Sequence, residues 1–265
     1  MDLGIRGRTA LITGGDSGMG LSTAEFLIRE GVRIVLSDRS TDQLRDAATK
    51  LEGLGDVLAV TADLTRQADV DKLRRAAEER FGAPDILVHA AGVTGATGDF
   101  LDLDDVAWET TLQTDLMAAV RVCRAFIPGM RIAGWGRVVL FSSEDAVQPY
   151  PDELPYCACK AAVNNLAKGL SKAYSPDGVL INTVAPAFVA TPMTDKMMEK
   201  RATELGVSFD RAVESFLDEE RPGIAAKRRG RAEEVAAVVA FMCSAHASFM
   251  TGSNVRVDGG SVMTV

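Results

Sequence analysis

Short runs rich in β-branched residues alternate along the chain with longer stretches whose apolar positions recur every three or four residues. The runs Thr9–Thr13, Arg33–Ser37, Val57–Val60, Asp85–His89, Arg137–Phe141, Val179–Thr183 and Asn254–Val257 predict seven strands. Helical periodicity falls at about 18–30, 41–53, 66–81, 103–127, 155–174 and 231–245. Most of the early strands are apolar throughout and do not alternate, as a parallel strand must be when helices cover both of its faces. The pattern therefore predicts an α/β fold: a doubly wound, Rossmann-type, parallel seven-stranded sheet in a single domain spanning 1–265. One stretch, about 192–229, breaks the rhythm. Its charged segments Asp195–Glu204 and Asp210–Arg221, broken at Gly206 and closed by Pro222-Gly223, predict two short helices in an insertion that would cover a substrate. Met193, Met197, Met198, Phe209, Val213, Phe216 and Leu217 supply its apolar contacts, for a pocket or, for most of them, for packing on the core.

Charge and composition narrow the function. With 29 basic against 37 acidic residues the net charge is −8, which argues against a broad nucleic-acid surface. The longest apolar run, Val235 to Cys243, is too short to span a bilayer, and Met1 to Arg6 carries no signal core, so no membrane partner and a cytoplasmic location are expected. Cys123, Cys157, Cys159 and Cys243 lack paired spacing and lie far from His89 and His246. They are read as packing thiols, and no metal site is expected.

The chemistry is carried by three sets of residues. Thr13 to Gly20 reads Thr-Gly-Gly-Asp-Ser-Gly-Met-Gly, directly after a predicted strand and directly before a predicted helix. Gly14 permits the tight turn, Gly18 lets the backbone approach a pyrophosphate and Gly20 allows close helix–strand contact, and Asp16, Ser17 and Met19 complete the candidate contacts of this loop. Asp38 stands eighteen residues after Gly20, at the end of the second strand, where a carboxylate accepts the hydroxyls of an adenosine ribose and repels a 2′-phosphate. NAD is thus expected over NADP, while Arg39 either stacks on adenine, pairs with a phosphate, or is a solvated surface residue. Tyr156 and Lys160 lie four apart in a helical stretch and so share a face, where a cationic Lys favours phenolate and fits Tyr156 for acid–base exchange with an alcohol. Ser143, leaving the fifth strand, is placed to orient the same substrate oxygen.

Over nearly its whole length the chain resembles the compact, single-domain branch of the short-chain dehydrogenase/reductase family, of the 3-oxoacyl-ACP-reductase type. Thr13 to Gly20 matches the family's Thr-Gly-x-x-x-Gly-x-Gly, and Ser143 with Tyr156 and Lys160 thirteen residues on matches its catalytic set. The resemblance implies adenine contacts from Asp63 and Leu64, cofactor contacts from Ala90, Gly92, Tyr156 and Lys160, and a nicotinamide segment at Pro186 to Thr191 that includes Val189 and Thr191. It also implies a homotetramer associating through the long fourth and fifth helices. Three positions depart from the family pattern. His89 replaces an Asn and is read as a buried, hydrogen-bonded structural residue, and Ala187 replaces a Gly. Asp115 replaces the Asn that supports a water relay to the active-site Lys. There it either adds a charge that opposes the Tyr156 phenolate, or is neutralised or bonded to helix N–H groups and keeps a kink. The implied activity is NAD(P)-dependent interconversion of a secondary alcohol and a ketone, with a 3-oxoacyl thioester or a cyclic or aromatic alcohol as candidate substrates. The alternative, which the three departures permit, is a non-catalytic dinucleotide-binding sensor or interaction subunit. A sugar-nucleotide epimerase of the longer branch is disfavoured by chain length and by the glycine spacing.

Overall fold

In the computed structural model, which describes residues 2–264, every predicted run is a strand. The strands are β1 Thr9–Thr13, β2 Arg33–Asp38, β3 Val57–Thr61, β4 Ile86–His89, β5 Gly136–Phe141, β6 Val179–Pro186, the two-residue β7 Val189–Ala190 and β8 Gly230–Arg231, and β9 Asn254–Val257. Seven of them form one parallel sheet in the order β3-β2-β1-β4-β5-β6-β9. Consecutive side chains of one strand enter different cores: Leu11 and Leu87 join Leu73, Val122 and Phe126 on one face, whereas Ile12 and Val88 join Leu27, Leu44 and Val235 on the other. Burial on both faces is why these strands do not alternate with polar residues.

The helices are α1 Gly18–Arg29, α2 Thr41–Glu52, α3 Gln67–Phe81, α4 Asp105–Leu112, α5 Ala118–Ala133, α6 Leu154–Tyr174, α7 Pro192–Leu205, α8 Phe209–Glu219 and α9 Ala232–Cys243. The chain crosses from one half of the sheet to the other between β3 and β4, so β1 and β4 lie side by side at the reversal of strand order. Ligands of such sheets bind outside the carboxyl ends of the strands at this point. Among the described residues, no helix is long and apolar enough to cross a membrane, and no group of three or more His, Cys, Asp or Glu is disposed to hold a metal. All four cysteines are free and buried.

The structure corrects the predicted elements in two places. The helix expected at 103–127 is two α-helices joined by a π-turn over Gln113–Met117, and α5 runs on through Pro128 to Ala133. Burial of Phe126, Ile127 and Met130 outweighs the local cost of a proline that cannot donate its hydrogen bond. The second difference is the β7–β8 ladder, in which Val189 pairs with Gly230 and Ala190 with Arg231, so the two ends of the 192–229 segment are clipped together. Within that segment α7 starts on a Thr191–Thr194 capping box and stops at Gly206 in the left-handed region (φ 65°). Phe188, Met198, Phe216, Leu217 and Ile224 form a small core of their own, with the Phe188 and Phe216 rings 4.7 Å apart. Met193 and Phe209 stay exposed. Packing thus takes most of the apolar residues of the insertion.

Candidate active site

A cavity of about 600 Å³ opens over the carboxyl ends of β1, β2 and β4. It is lined by Gly14, Asp16, Ser17, Gly18, Met19 and Gly20, by Asp38 and Arg39, by Asp63 and Leu64, by Ala90 and Gly92, by Tyr156, and by Val189 and Thr191. The glycines are needed for its shape. A Cβ on Gly20 would sit 2.0 Å from the Gly14 carbonyl oxygen, and Gly14 itself is left-handed (φ 67°) with backbone of Ala90 and Ala91 under 3 Å from where its Cβ would be. Ser17 makes no side-chain bond to the first N–H groups of α1, which leaves them to meet an anion. This uncapped helix start over a cradle that side chains would fill fits a dinucleotide. Asp38 accepts from the backbone N–H groups of Arg39 (2.6 Å) and Ser40 (3.4 Å) through one oxygen, Oδ1. Burial, and then Asp16, push its carboxyl above the ordinary value, and the two N–H bonds offset this in part. Asp63 is held lower: burial raises it, but the Thr65 hydroxyl (2.7 Å) and N–H (2.9 Å) together prevail.

Beneath the cavity, α6 brings Tyr156 and Lys160 to one face, with Nζ 5.2 Å from the centre of the phenol ring. The Lys160 ammonium donates to the Phe141 carbonyl (3.2 Å) and lies 3.4 Å from Asp115 Oδ1. Both of these charged side chains are buried. The π-turn widens the helix by one residue and carries Asp115 inward, where Oδ1 accepts from the Val93 N–H (3.2 Å) and Oδ2 from the Thr114 hydroxyl (2.9 Å). Asp115 is therefore paired with Lys160, and its hydrogen bonds go to Val93 and Thr114 and not to helix N–H groups. Gly92 permits this arrangement, since its Cβ would lie 2.7 Å from Asp115 Oδ1 and 3.3 Å from Lys160 Nζ. One expectation is reversed. Lys160 alone would lower the Tyr156 phenol, yet burial first, and then the Asp145 and Asp115 carboxylates, hold it above its ordinary value.

Ser143 closes the site from the end of β5. Its hydroxyl donates to Asp145 Oδ1 (3.0 Å) and accepts from the Asp145 N–H (3.3 Å). Ser143, Tyr156, Lys160 and Asp115 thus come together, with only Tyr156 of the four lining the large cavity. Sequence reasoning missed the acidic group behind Ser143. Glu144 and Glu153 converge there on Arg221, which lies 4.0 Å from Glu144 and donates to Glu153 (3.4 Å) while stacking 3.5 Å from the Tyr150 ring centre. A Glu-Asp pair directly after an apolar strand and a candidate catalytic Ser was the available signal. His89 is buried as expected, bonded to the Thr13 hydroxyl through Nδ1 (2.8 Å), and burial pushes it down to about 3 so that it stays neutral. Cys157 and Cys159 are buried thiols pushed up to about 11, again by burial, as packing residues would be.

Known proteins resemble the chain over nearly its whole length. The family model described as Enoyl-(Acyl carrier protein) reductase matches residues 14–262. The chain is 33% identical over 263 residues to 2,3-dihydroxy-2,3-dihydro-p-cumate dehydrogenase of Pseudomonas putida, covering 98% of this chain and 96% of that one. It is 29% identical over 256 residues to D-beta-hydroxybutyrate dehydrogenase of Rhizobium meliloti, covering 96% and 98%. Among solved structures, L-sorbose reductase of Gluconobacter frateurii, complexed with NADPH and L-sorbose, superimposes with a TM-score of 0.95 at 35% identity over all of both chains.

Proposed function

Because the chain belongs to the short-chain dehydrogenase/reductase family, whose members here are NAD(P)-dependent oxidoreductases of CH–OH groups, we propose that Tyr156 is the acid–base of an alcohol–ketone interconversion. The single observation that supports this is the clustering of Ser143, Tyr156, Lys160 and Asp115 at the edge of a glycine-cradled dinucleotide groove. Bound nicotinamide would give or take a hydride at the carbinol carbon. Tyr156 gives the proton to the carbonyl oxygen in reduction and takes it from the hydroxyl in oxidation. Ser143 orients that oxygen, and Lys160, held by the Phe141 carbonyl and Asp115, keeps a positive charge beneath the phenol ring. The dinucleotide would lie on Gly14 to Gly20, Asp38, Arg39, Asp63, Leu64, Ala90, Gly92, Val189 and Thr191, and residues 192–229 would cover the substrate. Asp38 keeps one carboxylate oxygen free of backbone bonds, so NAD is preferred over NADP. The L-sorbose reductase structure is a complex with NADPH. A hydroxyl-bearing ketone is the substrate class that the sorbose enzyme suggests. Association through α4, α5 and α6 gives a homotetramer in the cytoplasm, with Val106 and Ile132 exposed on those helices to be covered.

The test is a panel of ketones, with L-sorbose and cyclic diketones included, and their alcohols, each with NADH or NADPH and the corresponding oxidised forms, followed by nicotinamide absorbance. Turnover that disappears in Tyr156→Phe is the expected result. Dinucleotide binding with no turnover of any substrate would replace this reading with the sensor. Sedimentation of a stable monomer would remove the assembly.

A further inference from the structure

Residues 192–229 carry eight Lys and Arg side chains. Seven of them have a carboxylate or a carbonyl partner, among them Lys200 with Glu204 on α7 itself and Arg229 with Asp195. Lys196 is the exception: among the described residues it makes neither an ion pair nor a hydrogen bond. Its neighbour Asp195 is already taken by Arg229 (2.7 Å), and Lys196 stands near the start of α7, where the helix dipole disfavours a cation. Nothing local in the fold accounts for this charge. What distinguishes it is its place, since it lines the large cavity together with Ser17, Gly18 and Thr191. The start of α7 lies against the glycine loop, with Thr191 Cγ2 3.3 Å from where a Cβ on Gly18 would stand. That loop leads into the uncapped start of α1, the part of the cavity suited to an anion. The other charged residues that line the cavity are Asp16, Asp38 and Asp63 against a single cation, Arg39, which follows Asp38 at the end of β2. A doubly charged diphosphate at the start of α1 would thus face a cavity rich in carboxylates, with Lys196 the cation available from the cover.

We infer that Lys196 is a diphosphate ligand: its ammonium pairs with the bridging diphosphate of a dinucleotide held on the glycine loop, and so ties the covering segment to the dinucleotide as well as to the substrate. This rests on the dinucleotide reading of the cavity. The start of α7 is fixed for the task by the Thr191–Thr194 capping box, by the β7–β8 ladder and by Arg229 on Asp195, which leaves the long lysine stem as the adjustable part. A lysine suits the position because its ammonium meets a phosphate as a point charge with three rotatable donors and needs no planar partner.

The experiment is titration calorimetry of the full-length protein with NAD, NADP and ADP-ribose, in wild type, Lys196→Met, Lys196→Arg and Lys200→Met. Lys196→Met should weaken all three ligands by about 5- to 10-fold at low salt, the effect of one charge-assisted contact from an exposed side chain, and the deficit should shrink as salt is raised. Lys196→Arg should keep most of the affinity. Lys200→Met removes a cation from the same helix that is paired with Glu204 and does not line the cavity, so it should bind like wild type and control for net charge. ADP-ribose retains the diphosphate without the nicotinamide, so an equal loss for it and for NAD places the contact on the diphosphate. A loss confined to NADP would assign Lys196 to the 2′-phosphate, and a loss for NAD that ADP-ribose does not share would assign it to the nicotinamide half. Either result overturns the inference, as does wild-type affinity in Lys196→Met. Melting of the unliganded variants checks the fold and should be unchanged, because Lys196 is exposed and unpaired. If wild type binds none of the three ligands, the dinucleotide reading itself fails and the inference with it, whereas wild-type binding that Lys196→Met leaves intact removes the inference alone.

Discussion

The glycine-lined groove and the buried charged centre meet at Tyr156 but are built on different principles. The groove is made of backbone and missing side chains: at Gly20 and Gly14 a methyl group would collide with main chain, and the N–H groups at the start of α1 carry no side-chain cap. The centre is made of buried charges. Asp115 and Lys160 pair below the phenol, while Asp145, Glu153, Glu144 and Arg221 crowd beside Ser143. Steric exclusion tolerates almost no change in shape, whereas a charge cluster tolerates changes in shape and responds to changes in protonation. The two regions should therefore fail differently when altered.

The largest effects are expected at the centre. Tyr156→Phe should lower kcat by about 10²- to 10⁴-fold with dinucleotide affinity kept, because only the exchangeable proton is removed. Lys160→Ala should lower activity as well, and also cost about 3–5 kcal/mol of stability in denaturant titration by leaving Asp115 buried without its partner. Equal stability of the Lys160→Ala and wild-type proteins would show that the pair is not what holds Asp115.

Next comes the groove. Gly20→Ala should destabilise by about 1–3 kcal/mol and weaken dinucleotide binding measured by fluorescence titration, since the clash is with the Gly14 carbonyl and cannot be relieved by a rotamer. Gly53→Ala is the control: its Cβ meets nothing within 4 Å and its φ is −71°, so a gain of about 0.4–1 kcal/mol is expected. Asp38→Ala should shift the kcat/KM ratio of NAD to NADP toward NADP by roughly 1.5–3 kcal/mol. A wild-type preference for NADP would instead assign the phosphate to Arg39.

A graded, pH-dependent effect distinguishes the charge cluster. The Glu144 carboxyl is pushed by burial from 4.5 up to about 7, so between these values the unfolded chain has lost a proton that the folded one keeps. Its contribution to stability is full below pH 4.5 and is lost as pH rises to 7. Glu144→Gln should therefore gain stability relative to wild type by about 1.4 kcal/mol per pH unit in that window, read from melts at several pH values. His89 has the opposite sign. Held at about 3 against an ordinary 6.5, it contributes stability above pH 6.5 that is lost as pH falls toward 3. Parallel melting curves for Glu144→Gln and wild type would mean that Glu144 is ionised in the fold. The smallest shift is expected for Asp115→Asn, which removes one of the carboxylates that hold the Tyr156 phenol up and should move the basic-side rise of alcohol oxidation to lower pH.

The sequence by itself determined the seven-stranded sheet, the glycine loop and the Tyr156–Lys160 pair. Each of these is a local pattern: a β-branched run buried on both faces, glycines at fixed spacing between a strand and a helix, two side chains one helical turn apart. Only the tertiary structure decided the partners. The π-turn carries Asp115 onto Lys160, forty-five positions away, and the β7–β8 ladder clips an insertion shut with two residues from each side. Arg221 reaches Glu153 across 68 positions to join the covering segment to the start of α6. No periodicity records such meetings, because a buried charge is stabilised by whatever group the fold brings beside it, and that group is set by packing and not by its distance along the chain.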